Sequence, residues 1–312
     1  MKTIKAKSIE KNAQIGVYSP SEPISKTRES RFRQGVEVLE SHGFKVKIAR
    51  NALKCTNFTA GTVEDRLSDI SSLLSDRETS VLFASWGGKS CNQLVGGLDY
   101  RLLQETRKPI LGFSDIGVLL NNITARTGLI TFFGPNVLGK LDETCHSGLS
   151  ILQTKNNTSN LLGNTSQVPC KALRNGIAEG HLIGGNLSTF VLGVVCSDVP
   201  DSYYDNAILF WEDAGNTTQI INQYLTAISN RGIFHRIRGM IIGDFLTEEP
   251  LDWKKADDFS SVMSAVGNCD IPVLYAPTFG HKKLENPILP IGARCRLDVS
   301  ECALNLLTPV VG

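Results

Sequence analysis

The chain has 312 residues, of which 41% are hydrophobic and 20% charged, and its 32 basic and 31 acidic side chains leave a net charge of +1. This balance offers no basic surface for a nucleic acid or an acidic membrane, so the sequence predicts neither partner. The length suits two domains of about 150 residues each. No apolar stretch approaches the roughly 18–20 residues that span a bilayer, and the polar first residues predict no secretion signal.

The eight cysteines favour a reducing compartment. None of them forms a Cys-x-x-Cys pair or stands at zinc-ligand spacing with a histidine, so the sequence predicts no metal site. Free and mostly buried thiols are typical of proteins in the cytoplasm, which is the expected location.

The first part of the chain alternates between short apolar runs and helical patterns. The runs that predict strands are Gln14–Tyr18, Lys45–Ala49, Val81–Ser85 and Pro109–Phe113. Helical patterns follow the first, second and fourth of these runs, with Thr62 placed to cap one helix and Gly128 placed to end another. Strands that alternate with helices of this length predict βαβ units and hence an α/β fold with a parallel sheet.

The middle of the chain is rich in Ser, Thr, Asn and Gly and has weak periodicity, which predicts an interdomain connection over residues 144–180. It separates a predicted N-terminal α/β domain at 1–143 from a C-terminal domain at 181–312. In the C-terminal domain, strands are predicted at Ala207–Trp211 and Met240–Ile242, and helices alternate with them. The last residues form short strand-like runs broken by Pro and Gly.

The predicted strand at Pro109–Phe113 runs directly into a helix through Ser114 and Asp115. A serine at such a turn holds its hydroxyl above the end of the sheet, and the N–H of Asp115 points the same way from a helix N-terminus. Ser114 is therefore a candidate nucleophile beside one oxyanion donor. The spacing departs from Gly-x-Ser-x-Gly because the second glycine, Gly117, comes one residue late. The alternative is that Ser114 only caps the helix.

Two glycines, Gly87 and Gly88, follow the predicted strand at Val81–Ser85. At the carboxyl end of a parallel sheet, glycines let backbone N–H groups approach a ligand. Gly88 is therefore a candidate for the second oxyanion donor, and Gly87 for contact with the substrate. The alternative is an ordinary tight turn. The segment matches neither nucleotide-binding glycine fingerprint, so no cofactor is predicted.

Glu212 and His281 are candidates for the other two members of a catalytic triad. Glu212 follows the apolar run Ile208–Phe210, where a carboxylate can orient a histidine through its second ring nitrogen; the alternative is a turn carboxylate. Among the five histidines, His281 follows the apolar run Val273–Phe279 on a loop bent by a glycine; the alternative is a structural hydrogen bond.

The four candidate features, which are the nucleophile, the glycine loop, the carboxylate and the histidine, are more informative together than singly, because acyl transfer needs all of them. A serine hydroxyl is a weak nucleophile near neutral pH and needs a base held in the right tautomer. The oxyanion that forms needs fixed hydrogen-bond donors. The sequence offers a candidate for each part, which favours a serine hydrolase.

Nine collinear segments along nearly the whole chain carry a family resemblance. They are Trp86–Gly88, Leu98–Tyr100, Pro109–Asp115, Gly128–Pro135, Gly184–Ser188, Ile208–Asp213, Gly239–Phe245, Phe279–His281 and Leu289–Gly292. In these segments the chain resembles the LD-carboxypeptidase family of serine peptidases, which includes murein tetrapeptide carboxypeptidases and microcin C immunity proteins.

The resemblance implies a flavodoxin-like N-terminal domain with the nucleophile and a smaller β-rich C-terminal domain with the Glu and His. It implies that Ser114 attacks, His281 transfers the proton and Glu212 orients His281, in a triad formed across the domain cleft. The N–H groups of Gly88 and Asp115 would hold the oxyanion. The resemblance also implies a homodimer, and it implies no metal or organic cofactor.

One branch of the family cleaves aminoacyl nucleotide analogues. The segment Gly87–Leu94, with Asn92 as a candidate substrate contact, is closer to this immunity-protein branch. Its members stack the base of the ligand on a tryptophan of the interdomain loop. Here the residues from Thr144 to Gly184 contain no Trp, Phe or Tyr, so recognition of a base would need Trp86 or Trp211 instead.

The first substrate expected is the LD-peptide bond of a murein tetrapeptide, next to a small amino acid. Such a peptide ends in a carboxylate, and Lys282, directly after His281, is a candidate to bind it; the alternative is a solvated surface lysine. Two other hypotheses remain. One is a non-catalytic two-lobed protein that binds a small ligand, and the other is cysteine chemistry at Cys91, for which no histidine partner is evident.

Overall fold

The computed structural model describes residues 2–139, 149–154, 160–163, 165, 170–246, 259–281 and 286–312. The chain forms two compact units. The N-terminal unit comprises residues 2–157, 284–293 and 308–312, and the C-terminal unit comprises residues 158–283 and 294–307. In the described part of the chain, no helix is long and apolar enough to cross a membrane.

The strands are β1 (Gln14–Tyr18), β2 (Lys45–Ile48), β3 (Thr79–Ala84), β4 (Ile110–Gly112), β5 (Thr131–Phe133), β6 (Lys171–Arg174), β7 (Ile177–Asn186), β8 (Ala207–Ala214), β9 (Gly239–Leu246), β10 (Val273–Tyr275), β11 (Leu289–Ile291), β12 (Arg294–Asp298) and β13 (Ala303–Leu306). The α-helices include α1 (Lys26–Ser41), α2 (Val63–Ser75), α3 (Tyr100–Thr106), α4 (Ile116–Thr127), α5 (Leu187–Phe190), α6 (Thr218–Asn230) and α7 (Ser260–Val266). A 3₁₀ segment covers Cys91–Gly97.

The N-terminal unit is built on a six-stranded sheet in the order β11-β5-β4-β3-β1-β2. Strands β2, β1, β3, β4 and β5 are parallel, and β11 is antiparallel to β5. The order β2-β1-β3-β4-β5 is that of flavodoxin-like folds, so the predicted fold class is confirmed. All three residues of β4 and of β5 are buried, as expected for a parallel sheet covered by helices on both faces.

This topology places three loops beside one another. Strands β1, β3 and β4 are neighbours and run in the same direction, so their carboxyl ends lie at one edge of the sheet. The loops that follow them begin at Ser19, Ser85 and Phe113. Ligands bind at this edge in open α/β sheets, and the candidate nucleophile lies in the third of these loops.

Local sequence signals explain where the helices of this unit begin and end. The Thr62 side chain accepts a hydrogen bond from the N–H of Asp65, whose carboxylate accepts one from the N–H of Thr62, which forms a capping box before α2. Gly128 ends α4 in the left-handed conformation, with φ of +76°. Both ends agree with the sequence prediction.

The C-terminal unit contains a seven-stranded sheet in the order β13-β12-β7-β8-β9-β10-β6. Strands β7 to β10 are parallel, whereas β12, β13 and β6 are added in antiparallel pairs. Helix α5 begins after Asn186, whose side chain accepts a hydrogen bond from the N–H of Thr189. The predicted β-rich character of this part of the chain is confirmed.

The structure differs from the sequence prediction in two segments. Strand β6 and the first residues of β7 lie within residues 144–180, which were predicted as a connection. Two residues of β6 are exposed, so the strand lacks the apolar run that would reveal it. Strand β11 joins the sheet of the N-terminal unit, although residues 181–312 were predicted to form one domain. Its three residues carry no signal for the sheet they join.

Gly184 in β7 provides a test of this packing. Its φ is +135°, and a Cβ atom there would overlap the carbonyl oxygen of Phe210 in β8. Gly215 also has a positive φ, +84°, but open space around it. We expect Gly184→Ala to lower the free energy of unfolding by more than the roughly 1–3 kcal/mol that backbone strain alone costs, and Gly215→Ala to stay within that range. Urea titrations followed by circular dichroism measure both, and equal losses would contradict the prediction.

Candidate active site

Ser114 stands on a strained turn between β4 and α4. Its φ of +62° is left-handed, a conformation that costs about 1–3 kcal/mol for a residue with a side chain and that is concentrated at functional sites. Gly112 permits the tight approach, because a Cβ atom there would lie 2.6 Å from Cγ2 of Ile116. The residue at the N-cap of α4 is Asp115. The alternative that Ser114 is only a helix cap therefore does not fit.

Asn136, which follows β5, holds the residue before the serine. The backbone N–H of Phe113 donates to Oδ1 of Asn136 at 2.9 Å, and Nδ2 of Asn136 donates to the carbonyl oxygen of Phe113 at 3.4 Å. Asn136 is buried, so these bonds are not exchanged for water. The sequence analysis missed this residue, since an asparagine in a loop carries no signal that it reaches a neighbouring strand.

The two glycines after β3 lie directly against Ser114. A Cβ atom on Gly87 would be 3.1 Å from Cβ and 3.4 Å from Oγ of Ser114. Gly88 has a φ of +149°, and a Cβ atom there would overlap Oγ of Ser21. Gly88 therefore requires glycine, a side chain at Gly87 would crowd Ser114, and the backbone of this loop lies beside the serine hydroxyl. Gly88 stays a candidate for the second oxyanion donor, and Gly87 for contact with the substrate.

In the C-terminal unit, Glu212 and His281 form a hydrogen-bonded pair. Glu212 lies in β8 and is 0% exposed, and its Oε2 is 2.7 Å from Nδ1 of His281. A buried carboxylate accepts hydrogen bonds, so Nδ1 carries the proton. The tautomer of the neutral ring then places the basic lone pair on Nε2. One third of the His281 side chain, 33%, is exposed.

Two glycines let the segment before His281 pack closely on β9. The backbone N–H of Asp244 donates to the carbonyl oxygen of Phe279 at 2.8 Å. A Cβ atom on Gly243 would lie 2.5 Å from the ring of Phe279, and one on Gly280 would lie 2.8 Å from Cβ of Asp244. The segment that carries His281 therefore packs directly on the backbone of β9. This explains why glycines stand at both positions.

The electrostatics of this pair favour a basic histidine. Burial lowers the pKa of His281, but the hydrogen bond to Glu212 and the negative charges of Glu212 and Asp213 outweigh burial, so the pKa lies above its ordinary value of 6.5. Burial also raises the pKa of Asp213 to about 6. Asp213 accepts hydrogen bonds from Nδ2 of Asn216 at 2.6 Å and from the N–H of Ser188 at 3.2 Å, which gives it a structural position beside the pair.

The remaining sequence candidates have mixed outcomes. Asn92 is exposed in the 3₁₀ segment that follows the glycine loop. Trp211 is fully buried, its Nε1–H donates to Sδ of Met240 at 3.3 Å, and its ring packs on Phe245. The expectation that Trp211 stacks on a ligand therefore does not fit, because alternate residues of a strand face opposite ways and its neighbour Glu212 points toward His281. Lys282 lies outside the described residues.

Cys91 is a poor candidate for a nucleophile. The thiol is buried, and burial together with the neighbouring Asp115 carboxylate raises its pKa well above the ordinary value of 9.0. Since the thiolate is the reactive form of cysteine, this environment suppresses its reactivity.

The chain has matches to known protein families over most of its length. Residues 15–134 match the LD-carboxypeptidase N-terminal domain, and residues 179–297 match the LD-carboxypeptidase C-terminal domain. Each match includes candidate residues of the site: Ser114 lies in the first, and Glu212 and His281 lie in the second.

Individual relatives are similar along nearly the whole chain. The microcin C7 self-immunity protein MccF of Escherichia coli is 28% identical over 91% of this chain and 90% of that protein. The probable murein peptide carboxypeptidase of Bacillus subtilis is 26% identical over 95% of this chain and 92% of that protein. A solved structure of MccF in complex with aspartyl sulfamoyl adenosine has a TM-score of 0.86 and 25% identity, and the alignment covers 99% of this chain and 100% of that chain.

The Glu212–His281 hydrogen bond predicts how His281 titrates. The midpoint of the His281 ring should lie above 6.5, because the charged partner stabilises the imidazolium more than burial disfavours it. Glu212→Gln removes that charge and should move the midpoint downward. Asp205→Asn, which removes a carboxylate paired with Arg236 in the same unit, should not move it. NMR titration of labelled histidines measures all three proteins, and an unchanged midpoint in Glu212→Gln would contradict the assignment.

Proposed function

Because the chain belongs to the LD-carboxypeptidase family, we propose that it is a serine carboxypeptidase whose triad is Ser114, His281 and Glu212. The observation that carries this proposal is the 2.7 Å hydrogen bond between Nδ1 of His281 and the buried Glu212 carboxylate. It is the orienting half of a Ser-His-Glu triad, because it holds the ring and directs the lone pair of Nε2 outward for proton transfer. The strained turn at Ser114 supplies the matching nucleophile.

The reaction proceeds through an acyl-enzyme. Nε2 of His281 accepts the proton of the Ser114 hydroxyl while Oγ forms a bond to the carbonyl carbon of the substrate. The tetrahedral intermediate collapses, the C–N bond breaks, and the leaving amine takes the proton from His281. Water then attacks the ester with His281 as base, which releases the acid and restores Ser114. Proton transfer requires Oγ and Nε2 to come within about 2.6–3.2 Å in the substrate complex.

The oxyanion of each tetrahedral intermediate is held by the N–H groups of Gly88 and Asp115. The closeness of Gly87 to Ser114 supports this assignment, since it places the backbone of the loop beside the attacking atom. Asp115 immediately follows the nucleophile, as the donor does in other hydrolases with a strand-turn-helix nucleophile. Each such donor is worth about 2.7–4 kcal/mol of the barrier.

The first substrate that we propose is a murein tetrapeptide. Hydrolysis of its LD-peptide bond removes the terminal amino acid. The similarity to the probable murein peptide carboxypeptidase supports this choice. Lys282 stays a candidate for binding the terminal carboxylate. The expected homodimer and the cytoplasmic location belong to the same proposal, as does the expectation that the catalysis uses no metal or organic cofactor.

A second substrate class is an aminoacyl nucleotide analogue, cleaved at the bond to its amino acid. The 28% identity to the MccF immunity protein and the segment Gly87–Leu94 favour it. The absence of Trp, Phe and Tyr from Thr144 to Gly184 and the buried position of Trp211 weigh against base stacking. Trp86 is half-buried and packs under the guanidinium of Arg28, so it is the aromatic candidate that remains near the glycine loop.

A pure binding protein would not need the strain at Ser114. The left-handed turn destabilises the native state by about 1–3 kcal/mol, and a loop with an ordinary conformation could bind a ligand without it. The buried Glu212 likewise adds a desolvation cost that binding of a small ligand does not require.

Comparison of the wild type with Ser114→Ala tests the proposal. Both proteins are incubated with a murein tetrapeptide and, separately, with an aminoacyl sulfamoyl adenosine, and the products are identified by mass spectrometry. We expect the wild type to release the terminal D-Ala of the peptide, and Ser114→Ala to lose on the order of 10⁶ in kcat. Ser41→Ala, which changes an exposed serine on α1, is the matched control and should keep full activity.

The outcomes of these experiments distinguish the two substrate classes and test the triad. Cleavage of the adenosine compound alone selects the second substrate class. Activity that survives in Ser114→Ala contradicts the triad. Labelling by a fluorophosphonate that depends on Ser114 separates a hydrolase from a protein that only binds, because labelling requires an activated hydroxyl.

A further inference from the structure

The carboxylate of Asp115 takes no part in the proposed reaction, but it is buried and accepts several hydrogen bonds. The residue is 3% exposed. Its Oδ2 accepts hydrogen bonds from Oγ of Ser21 at 2.5 Å, from the N–H of Ser90 at 2.8 Å and from the N–H of Cys91 at 2.9 Å. Ser21 belongs to the loop after β1, and Ser90 and Cys91 follow the glycines after β3. One oxygen atom therefore joins the loops of three adjacent strands.

Arg66 of α2 joins two of these loops from the other side. Its guanidinium donates to the carbonyl oxygen of Pro20 at 2.8 Å, to Oγ of Ser90 at 3.2 Å and to Oε1 of Gln93 at 2.6 Å. Arg66 is only 2% exposed, and its positive charge attracts Asp115. A buried charge is retained when it is compensated and hydrogen-bonded, and both conditions hold here. The two charges make the loop arrangement costly to distort.

The carboxylate of Asp115 also departs from what its position in the helix would predict. An aspartate at an N-cap normally accepts a hydrogen bond from its own helix, at N2 or N3. Asp115 occupies the N-cap of α4 and makes no such bond. Its carboxylate is turned instead toward Ser21, Ser90 and Cys91. The carboxylate therefore does not stabilise the first turn of α4 and instead accepts hydrogen bonds from residues next to the glycine loop.

The hydrogen bonds of Asp115 hold the residues that flank Gly87 and Gly88 on one side. Gly88 is followed within two residues by Ser90, whose N–H is held, and its α-carbon packs on Ser21, whose hydroxyl is held by the same oxygen. On its other side, Gly87 lies against Cβ of Ser114. The glycine loop is therefore enclosed between the nucleophile and the groups that Asp115 binds.

We propose that the Asp115 side chain is a positioning residue, which keeps the N–H groups of the glycine loop aligned with Ser114 for the oxyanion. This inference rests on the proposed function. Because the oxyanion develops only on the way to the transition state, a misaligned donor lowers kcat and leaves KM nearly unchanged. Loss of one oxyanion donor costs roughly 10²–10³ in kcat, which bounds the effect of moving it.

The test is Asp115→Asn, which keeps the size of the side chain and removes the charge that strengthens its three hydrogen bonds. We expect kcat to fall by about 10- to 10²-fold and KM to change by less than about twofold. Ser21→Ala, which removes one of the three bonds, should lower kcat by a smaller factor. Asp69→Asn is the matched control, since Asp69 is a buried aspartate of the same unit that accepts hydrogen bonds from the backbone and side chain of Asn51. It should leave kcat and KM at their wild-type values.

Hydrogen exchange tests the same inference without a substrate. In Asp115→Asn, the amides of Ser90 and Cys91 should exchange faster than in the wild type, while Asp69→Asn leaves them protected. If the wild type hydrolyses neither compound, the proposed function fails, and the exchange result still decides whether the Asp115 side chain holds the glycine loop in place. If both amides exchange in Asp115→Asn at the same rate as in the wild type, the inference is overturned. A loss of kcat that Asp69→Asn reproduces also overturns it, because the effect would then follow from lowered stability alone.

Discussion

A carboxylate removed from water needs hydrogen-bond partners, and within the C-terminal unit Oε2 of the buried Glu212 has such a partner in Nδ1 of His281. The 2.7 Å bond between them sets the tautomer of the histidine and, with Asp213, raises its pKa. The bond also explains the local sequence. His281 reaches Glu212 because Gly280 and Gly243 let the preceding segment lie on the backbone of β9. Strand β8 then supplies a fixed position for Glu212, since it is paired on both sides by β7 and β9.

The N-terminal unit follows a different constraint, which is that neighbouring parallel strands end at one edge of the sheet. Loops after β1, β3 and β4 are thereby brought together although they are far apart in sequence. Their contacts are polar and buried: Asn136 holds the residue before Ser114, and Asp115 holds the glycine loop. Rigid supports of this kind suit a site that stabilises a transition state, because donors aligned in advance need not reorganise during the reaction.

Much of this arrangement is visible in the sequence where the signal is local. Thr62, Gly128 and Asn186 mark the ends of helices, and each does so through hydrogen bonds or a backbone conformation within a few residues. Apolar runs identify β1, β3 and β8 because these strands are buried on both faces. The sequence does not predict strand β6, because it is partly exposed, and it does not predict which sheet β11 joins, because that strand has only three residues. The buried state of Trp211 also needed the fold, because an aromatic side chain is equally compatible with a core and a binding surface.

The sequence by itself determined the parallel α/β character of the first half, the turn at Ser114 and the family to which the chain belongs, since these depend on periodicity and on motifs that are contiguous in the chain. Only the tertiary structure decided the geometry of the Glu212–His281 hydrogen bond, the order of the strands and the contacts of Asp115. Each of these joins residues separated by tens of positions, for example the 69 between Glu212 and His281. Such contacts depend on how strands are ordered and how loops pack, which no local pattern encodes. The positive φ of Ser114 lies between the two cases, because the strand-to-helix junction suggests it and the packing of Gly87 and Asn136 fixes it.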